Sequence, residues 1–486
     1  MLGGGKPHWS QFLRGQRPRG LIVRRHAHGR VPRARRAGDR IVPLGTCVLA
    51  LGAGVVGSRH AERHRTEAPA GFGAEVDGLP RGEGAGYRQN SRTRRLERAL
   101  KSVIDEEASQ AWGGNGLRAS CCIIHLPTGE LAGCKDEEEM ALASVFKVPI
   151  LLEVVHRLQS AWPLGPKLIP EWGDLGGRVM TPSKELEVTE ELKCIGSGEL
   201  IKRPNGSMVT LDEACRLMMT ISDNTATDMV FDAIGGPDVL YSRVREGAMG
   251  MAGTKMELTN KEAFLLCLNI LPEFKEADAR GGVTALWQGL DFQERRRMAA
   301  RAIQVAREKK IGAAKFQEIE KVSEQLMDEG GESAFDNDAL VASVIDNRGC
   351  ARDMAQGLAR LCTGRLVRPS WIQWTLDKFA NEKLAVKRIP GLLPEGTRVW
   401  HKTGTISGVN NDAGVIDLGP IVAMPAVCPG LSSTLEEDER ASACVGGKLV
   451  VVVFTEGLGM HDMPLASRLI ARCSKVAYDA YSSQSM

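Results

Sequence analysis

The chain has 486 residues, enough for a sizeable core and about three domains on length alone, although a single catalytic fold can absorb roughly 250 residues or more. Its net charge of +3 is small and lopsided, because residues 1–40 hold ten arginines and Lys6 against one acid, Asp39. The remainder is slightly acidic, which implies no basic groove for nucleic acid, and the twelve cysteines contain no C-x-x-C pair, which argues against a zinc site; their scattered apolar contexts favour buried free thiols, with disulfides open for an exported domain.

After the basic arm, residues 41–57 run for seventeen positions without a charge and read as a targeting or anchoring segment. Three readings compete: a signal sequence, a short membrane anchor with the basic arm cytoplasmic, and an organelle transit region. Four glycines and a proline weaken the run as a spanning helix. Export, membrane anchoring or organelle targeting is favoured over a cytoplasmic location, with any membrane contact made through residues 41–57. The Gly-rich polar stretch that follows reads as a linker, so residues 1–91 are taken as a targeting segment plus linker and residues 92–486 as the folded domain.

Leu96, Leu100, Val103 and Ile104 recur at helical spacing and predict a first helix over 94–106. A strand is expected from Leu117 to Leu126, a turn at Pro127-Thr128-Gly129-Glu130, and a second strand from Leu131 to Cys134. The apolar run Val148–Val155 predicts a helix that Ala143-Ser144-Val145-Phe146-Lys147 begins. Further helices are expected over Leu211–Thr220, Thr227–Ile234 with the stop Gly235-Gly236-Pro237, Ala351–Thr363 and Pro369–Lys378. Residues 273–335 are charged and helix-prone, with Ala299, Ala302, Ile303 and Ala306 as a thin apolar stripe. They read as an inserted helical lobe whose Glu294-Arg295-Arg296-Arg297 run is a solvated face. Strands follow at Val399–Thr405, Ala413–Leu418 and Lys448–Phe454, and a closing helix spans about Pro464–Tyr481. This order describes an α+β fold: an antiparallel sheet flanked by helices, with an all-helical lobe inserted.

Three short motifs carry chemistry. Ser144 and Lys147 stand three apart at a helix start, which puts the ammonium one turn from the hydroxyl, a nucleophile beside a base. Met alone, the pair reads first as a helix cap and a solvated lysine. Ser222-Asp223-Asn224 and Lys402-Thr403-Gly404 would alone be a helix cap and a strand end. All three in this order mark class A β-lactamases and penicillin-binding proteins. Ala141–Lys147, Ser222–Thr227 with the Gly235-Gly236-Pro237 stop, and Leu393-Pro394-Glu395-Gly396 ahead of His401–Thr405 together resemble the class A β-lactamase-type serine hydrolase family over roughly residues 92–486, less the insertion.

The resemblance implies roles. Ser144 would be the acylated nucleophile and Lys147 its base, Ser222 would relay a proton to the leaving nitrogen, and Asn224 would orient the substrate and the lysine. Lys402 would depress the Lys147 pKa and attract an anionic substrate, while Thr403 would bond its carboxylate. The backbone N–H groups of Ser144 and Thr405 would receive the oxyanion. Arg388, fourteen residues before Lys402, stands where some relatives carry a carboxylate-binding arginine, and is weighed evenly against an ordinary surface residue; Asp412 occupies the alternative position. The pattern departs in one place: the Glu-x-x-x-Asn of the deacylating base is absent, and neither Glu257 nor Glu262 can be assigned, both reading as solvated. His125, His401 and His461 make no rival triad and read as structural.

The leading expectation is a serine hydrolase acting through an acyl-serine intermediate, with β-lactam hydrolysis as the named activity. A D,D-peptidase or esterase with slow deacylation is the alternative on the same fold, and a non-catalytic binding module is the alternative of another class. No metal and no organic cofactor are expected. The partner is a small molecule, a β-lactam or an acyl or peptide analogue, and the expected state is a monomer.

Overall fold

The computed structural model describes residues 87–482, apart from 112–115, 170–178, 269, 279–281, 316–317, 319–343, 380–385, 420–446 and 459–461. The apolar run 41–57, the later part of the 273–335 insertion and His461 lie outside the described residues. Among the described residues, no helix is long and apolar enough to cross a membrane.

Five strands form one antiparallel sheet: β1 (Arg118–His125), β2 (Glu130–Cys134), β3 (Val399–Ile406), β4 (Val409–Asp417) and β5 (Lys448–Glu456), in the spatial order β2-β1-β5-β4-β3. The apolar run of β5, Leu449 to Phe454, has no polar alternation because the sheet is covered on both faces. Leu449, Val451 and Val453 meet α1 (Ser91–Ala108) and the closing helix. Val450, Val452 and Phe454 meet the larger helical core on the other side. Leu96, Leu100, Val103 and Ile104 are all buried, as their spacing predicts.

The helix α2 (Lys147–Ala161) is buried on nearly every side, from Lys147 through Val155, which is what an all-round apolar sequence requires. Its Pro149 sits in the first turn, where the missing N–H costs no hydrogen bond. Ser144 is not on this helix. A left-handed backbone at Ala143, with φ of 44°, starts a separate 3-10 turn, Ala143–Phe146, and Lys147 opens the α-helix behind it.

Around α2 pack α3 (Leu211–Thr220), α4 (Asn224–Ala233) and α5 (Gly236–Arg245). Gly235-Gly236-Pro237 is both a stop and a start: Gly235 takes the left-handed conformation that ends α4, and Pro237 lies in the first turn of α5. Beyond come α6 (Asn260–Cys267), α7 (Pro272–Asp278), α8 (Val283–Gln288) and α9 (Phe292–Glu308), then α10 (Ala351–Cys362), α11 (Pro369–Lys378) and the closing α12 (Met463–Tyr481).

The charged insertion has its own small core, in which Ala299, Ala302 and Ala306 of α9 meet Leu265, Leu266, Phe274 and Trp287. Its charge run is not a solvated face. Arg297 is exposed, but Arg295 Nη1 donates to Glu257 Oε2 at 2.7 Å, and Arg296 Nη1 donates to Glu262 Oε2 at 2.7 Å and to the Glu257 carbonyl at 2.9 Å. Glu257 and Glu262 are therefore buried, at 5% and 7% exposure, rather than solvated. The apolar stripe of α9 turns these two arginines inward, onto carboxylates that precede and open α6. Replacing Arg295 with alanine leaves the Glu257 carboxylate buried beside an empty site and is expected to cost about 3 kcal/mol of unfolding free energy. A urea midpoint that does not move would contradict this ion pair.

Candidate active site

Two residues with left-handed backbones, Ala143 and Ser222 (φ of 58°), bring the first two motifs together. Such strain at ordinary residues persists only where neighbours fix the chain. The turn before Ser144 is held from three directions. Asn411 Nδ2 on β4 donates to the carbonyls of Ala141 at 2.7 Å and Leu142 at 3.2 Å. The Leu142 N–H donates to the Asn347 carbonyl at 2.9 Å, and the Ala143 N–H donates to Asp346 Oδ2 at 2.5 Å. Ser222 is held by its neighbour Asp223, whose side chain caps α4 through the Ala226 N–H at 2.8 Å and accepts the N–H groups of Glu199 at 2.6 Å and Leu200 at 2.9 Å.

The Lys147 ammonium lies at the centre. It donates to Ser144 Oγ at 3.1 Å, Ser222 Oγ at 3.0 Å, the Ser222 carbonyl at 2.9 Å and Asn224 Oδ1 at 2.8 Å. Asn224 is oriented for this by its own Nδ2, which donates to the Ile195 carbonyl at 2.8 Å. Burial lowers the Lys147 pKa to about 8, against Asp228, Asp223 and Asp346, whose charges raise it. Burial, rather than the charge of Lys402, is thus the leading cause of the depression.

Lys402 enters from β3. Its Nζ donates to Ser222 Oγ at 3.2 Å and to the Thr403 carbonyl at 2.8 Å, so the Ser222 hydroxyl lies between two lysines. Lys402 is pushed well below the ordinary lysine range, first by burial and then by the charges of Lys147 and Arg388. Gly404 is a point of close approach between β3 and the turn that carries Ser144: a β-carbon there would stand 2.6 Å from the Leu142 carbonyl oxygen and 3.1 Å from the Ser144 nitrogen.

Arg388 reaches the same strand end, donating from Nη2 to Thr405 Oγ1 at 2.6 Å and from Nη1 to the carbonyls of Gly404 at 3.2 Å and Asn411 at 2.7 Å. It is not a free surface arginine. A buried pair lies beneath it: His401 Nδ1 sits 2.8 Å from Asp412 Oδ2, which accepts the N–H of Ile389, the residue after Arg388, at 3.1 Å. His125 is separate, stacked on Tyr481 with ring centroids 4.3 Å apart, and burial lowers its pKa to about 4.

The sequence-predicted residues Ser144, Lys147, Ser222, Asn224 and Lys402 thus converge through direct hydrogen bonds, and Thr403, Thr405 and Arg388 share the adjoining strand end. Glu257 and Glu262 are held by Arg295 and Arg296. Asp346, Asn347, Asn411 and the His401–Asp412 pair belong to the site's frame but to none of the motifs. The available signal for Asp412 was its place where some relatives carry the alternative arginine; for Asp346, which follows the insertion, there was none.

The model of the beta-lactamase enzyme family matches residues 175–446, more than half of the chain. The chain belongs to that family. Beta-lactamase PSE-4 of Pseudomonas aeruginosa is 34% identical over 160 residues, covering 33% of this chain and 46% of that protein. Beta-lactamase CARB-4 of the same organism is 20% identical over 143 residues, 29% of this chain and 43% of that one. The chain thus spans about half the length of these curated relatives. Among solved structures, an acyl-enzyme complex of a PBP-A mutant with penicillin G aligns with a TM-score of 0.49 at 18% identity, covering 80% of this chain and 96% of that one. An ancestral class A beta-lactamase aligns at 0.47 and 17%, covering 79% and 100%.

Gly404 permits no side chain without moving the turn that carries Ser144. With Ser144 as the acylated residue, the role proposed below, Gly404→Ala is expected to slow acylation by roughly 100-fold while leaving the circular dichroism spectrum intact, since small misplacements of reacting groups carry penalties of that order. Acylation at the unmodified rate would contradict the close approach.

Proposed function

We propose that the protein is a serine hydrolase that opens β-lactams through an acyl-enzyme on Ser144. The observation that carries this reading is the buried Lys147 within hydrogen-bond distance of both Ser144 and Ser222, with its pKa lowered to about 8. In its neutral form Lys147 takes the Ser144 proton as Oγ attacks the lactam carbonyl. The developing oxyanion is received by the backbone N–H groups of Ser144 and Thr405. Ser222, set between Lys147 and Lys402, passes a proton to the departing nitrogen. The substrate carboxylate is drawn to the end of β3, where Lys402, Thr403, Thr405 and Arg388 lie. Its charge offsets the mutual repulsion of Lys402 and Arg388 and favours the protonated lysine. Asn224 orients the substrate while it holds Lys147.

A second reading, a penicillin-binding D,D-peptidase or esterase that releases its acyl group slowly, is favoured by one observation: Glu257 and Glu262 are committed to Arg295 and Arg296 and are not available as the base for water. Incubation with a penicillin, followed by intact mass and ring absorbance, separates the two. A transient adduct with ring opening is expected for hydrolysis, and a persistent adduct for the second reading; no adduct at all contradicts both. Ser144→Ala is expected to abolish labelling, and continued labelling would reject Ser144 as the nucleophile.

The acylation step also has a definite pH dependence. Protonated Lys147 cannot accept the serine proton, so the rate is expected to rise with pH through about 8 and level off above it. A single-turnover profile that is flat across this range would contradict Lys147 as the base.

A further inference from the structure

If Ser144 is acylated, the ester must be hydrolysed, and both glutamates nearest in sequence to the expected base are locked in ion pairs. A third carboxylate stands against the nucleophile turn. Asp346 Oδ2 accepts the N–H of Ala143, the residue directly before Ser144, at 2.5 Å. The segment that carries it is fixed by its neighbour: Asn347 Oδ1 accepts the N–H groups of Glu257 at 2.7 Å and Leu258 at 3.0 Å, and Asn347 Nδ2 donates to the Leu258 carbonyl at 2.9 Å. Ile345 and Asn347 are buried on either side, whereas Asp346 is half-buried as a residue.

We propose that Asp346 is the general base of deacylation, one carboxylate oxygen staying on the Ala143 N–H while the other takes the proton of the attacking water. The proposal rests on the acyl-serine reading given above. The water oxygen bonds to the acyl carbonyl carbon as its proton passes to Asp346. The tetrahedral adduct then breaks its bond to Ser144 Oγ, whose electron pair takes that proton back. The product leaves as a carboxylic acid, and water is the only co-reactant.

The electrostatic setting suits the task. Burial raises the Asp346 carboxyl to about 7, and Glu456 of β5 adds to the rise. The N–H groups of Ala143 and Asn347 and the charge of Arg348 oppose it. The charge of Asp346 in turn acts on Lys147 of α2, raising its pKa. A carboxylate of this basicity is matched to removing a proton from water near neutral pH.

Asp346 also pins the strained Ala143 turn, so loss of the base must be separated from loss of the pin. Asp346→Asn keeps an acceptor for the Ala143 N–H but cannot take a proton; Asp346→Ala removes both functions. With the full chain and a penicillin followed by stopped flow and intact mass, Asp346→Asn is expected to acylate Ser144 within about threefold of the unmodified protein. Its adduct is expected to persist roughly 100-fold longer. Deacylation of the unmodified protein is expected to fall as pH drops through about 7, because protonated Asp346 cannot act as base. An Asp346→Asn adduct that decays at the normal rate overturns the proposal. So does one that fails to form, as in Asp346→Ala, because the residue is then only a pin. Should Asp346→Asn not fold, a deacylation rate of the unmodified protein that is flat from about pH 5 to 8 overturns it equally. If the unmodified protein forms no adduct, the acyl-serine reading falls first and this proposal with it; an adduct with normal decay in Asp346→Asn removes this proposal alone.

Discussion

A lysine ammonium taken out of water is the constraint on which the rest of this site depends. Lys147 is fully buried on a helix that is itself buried, and an unpaired charge there would be prohibitive. The protein meets that cost in two ways. Four oxygens, two hydroxyl, one carbonyl and one amide, accept from Nζ, and the pKa falls far enough for the neutral amine to be populated near physiological pH. The same desolvation that makes the lysine expensive to bury lowers its pKa, as the proposed role of base requires. The surrounding carboxylates, Asp228 and Asp223 first, limit the fall, so the value near 8 is a balance between burial and attraction.

Holding that balance requires a rigid frame, and the frame is visible as strain that is tied down. Ala143 and Ser222 both take left-handed conformations beside the groups they present. Asn411 and the Asp346–Asn347 segment grip the first; Asp223, with three backbone N–H bonds, grips the second. Asp228 does similar work one turn further along α4, accepting the N–H groups of Asn260 and Lys261 at 2.9 Å each and so docking the first turn of α6. Through α6 the charged insertion is fastened to the helix that carries Asn224, and Arg295 and Arg296 complete the junction.

Much of this was legible in the sequence because it is local. Apolar periodicity gave α1, α3 and α11 to within a few residues, and the short motifs named Ser144, Lys147, Ser222, Asn224 and Lys402, which meet through direct hydrogen bonds. What was not legible is what depends on distant pairing. The pattern that marks α9 as charged cannot say that two of its arginines turn inward to carboxylates about forty positions earlier. The 3-10 turn that holds Ser144 ahead of α2 follows from the left-handed Ala143, which distant bonds from Asn411, Asp346 and Asn347 help to fix. Arg388 could be placed by its distance from Lys402, but the His401–Asp412 pair beneath it needed the register of β3 on β4, which sets Thr403 opposite Asp412. Asp346 was hidden for the same reason: it follows a long insertion and has no motif of its own.

The central claim is that burial has turned Lys147 into a base, and the most direct measurement is an NMR titration of its Nζ with labelled lysine in the folded protein. A midpoint at about 8 is expected, separated from ordinary exposed lysines at about 10.4. A Lys147 resonance that titrates together with the exposed lysines would contradict it, and the acylation mechanism built on Lys147 would fall with it.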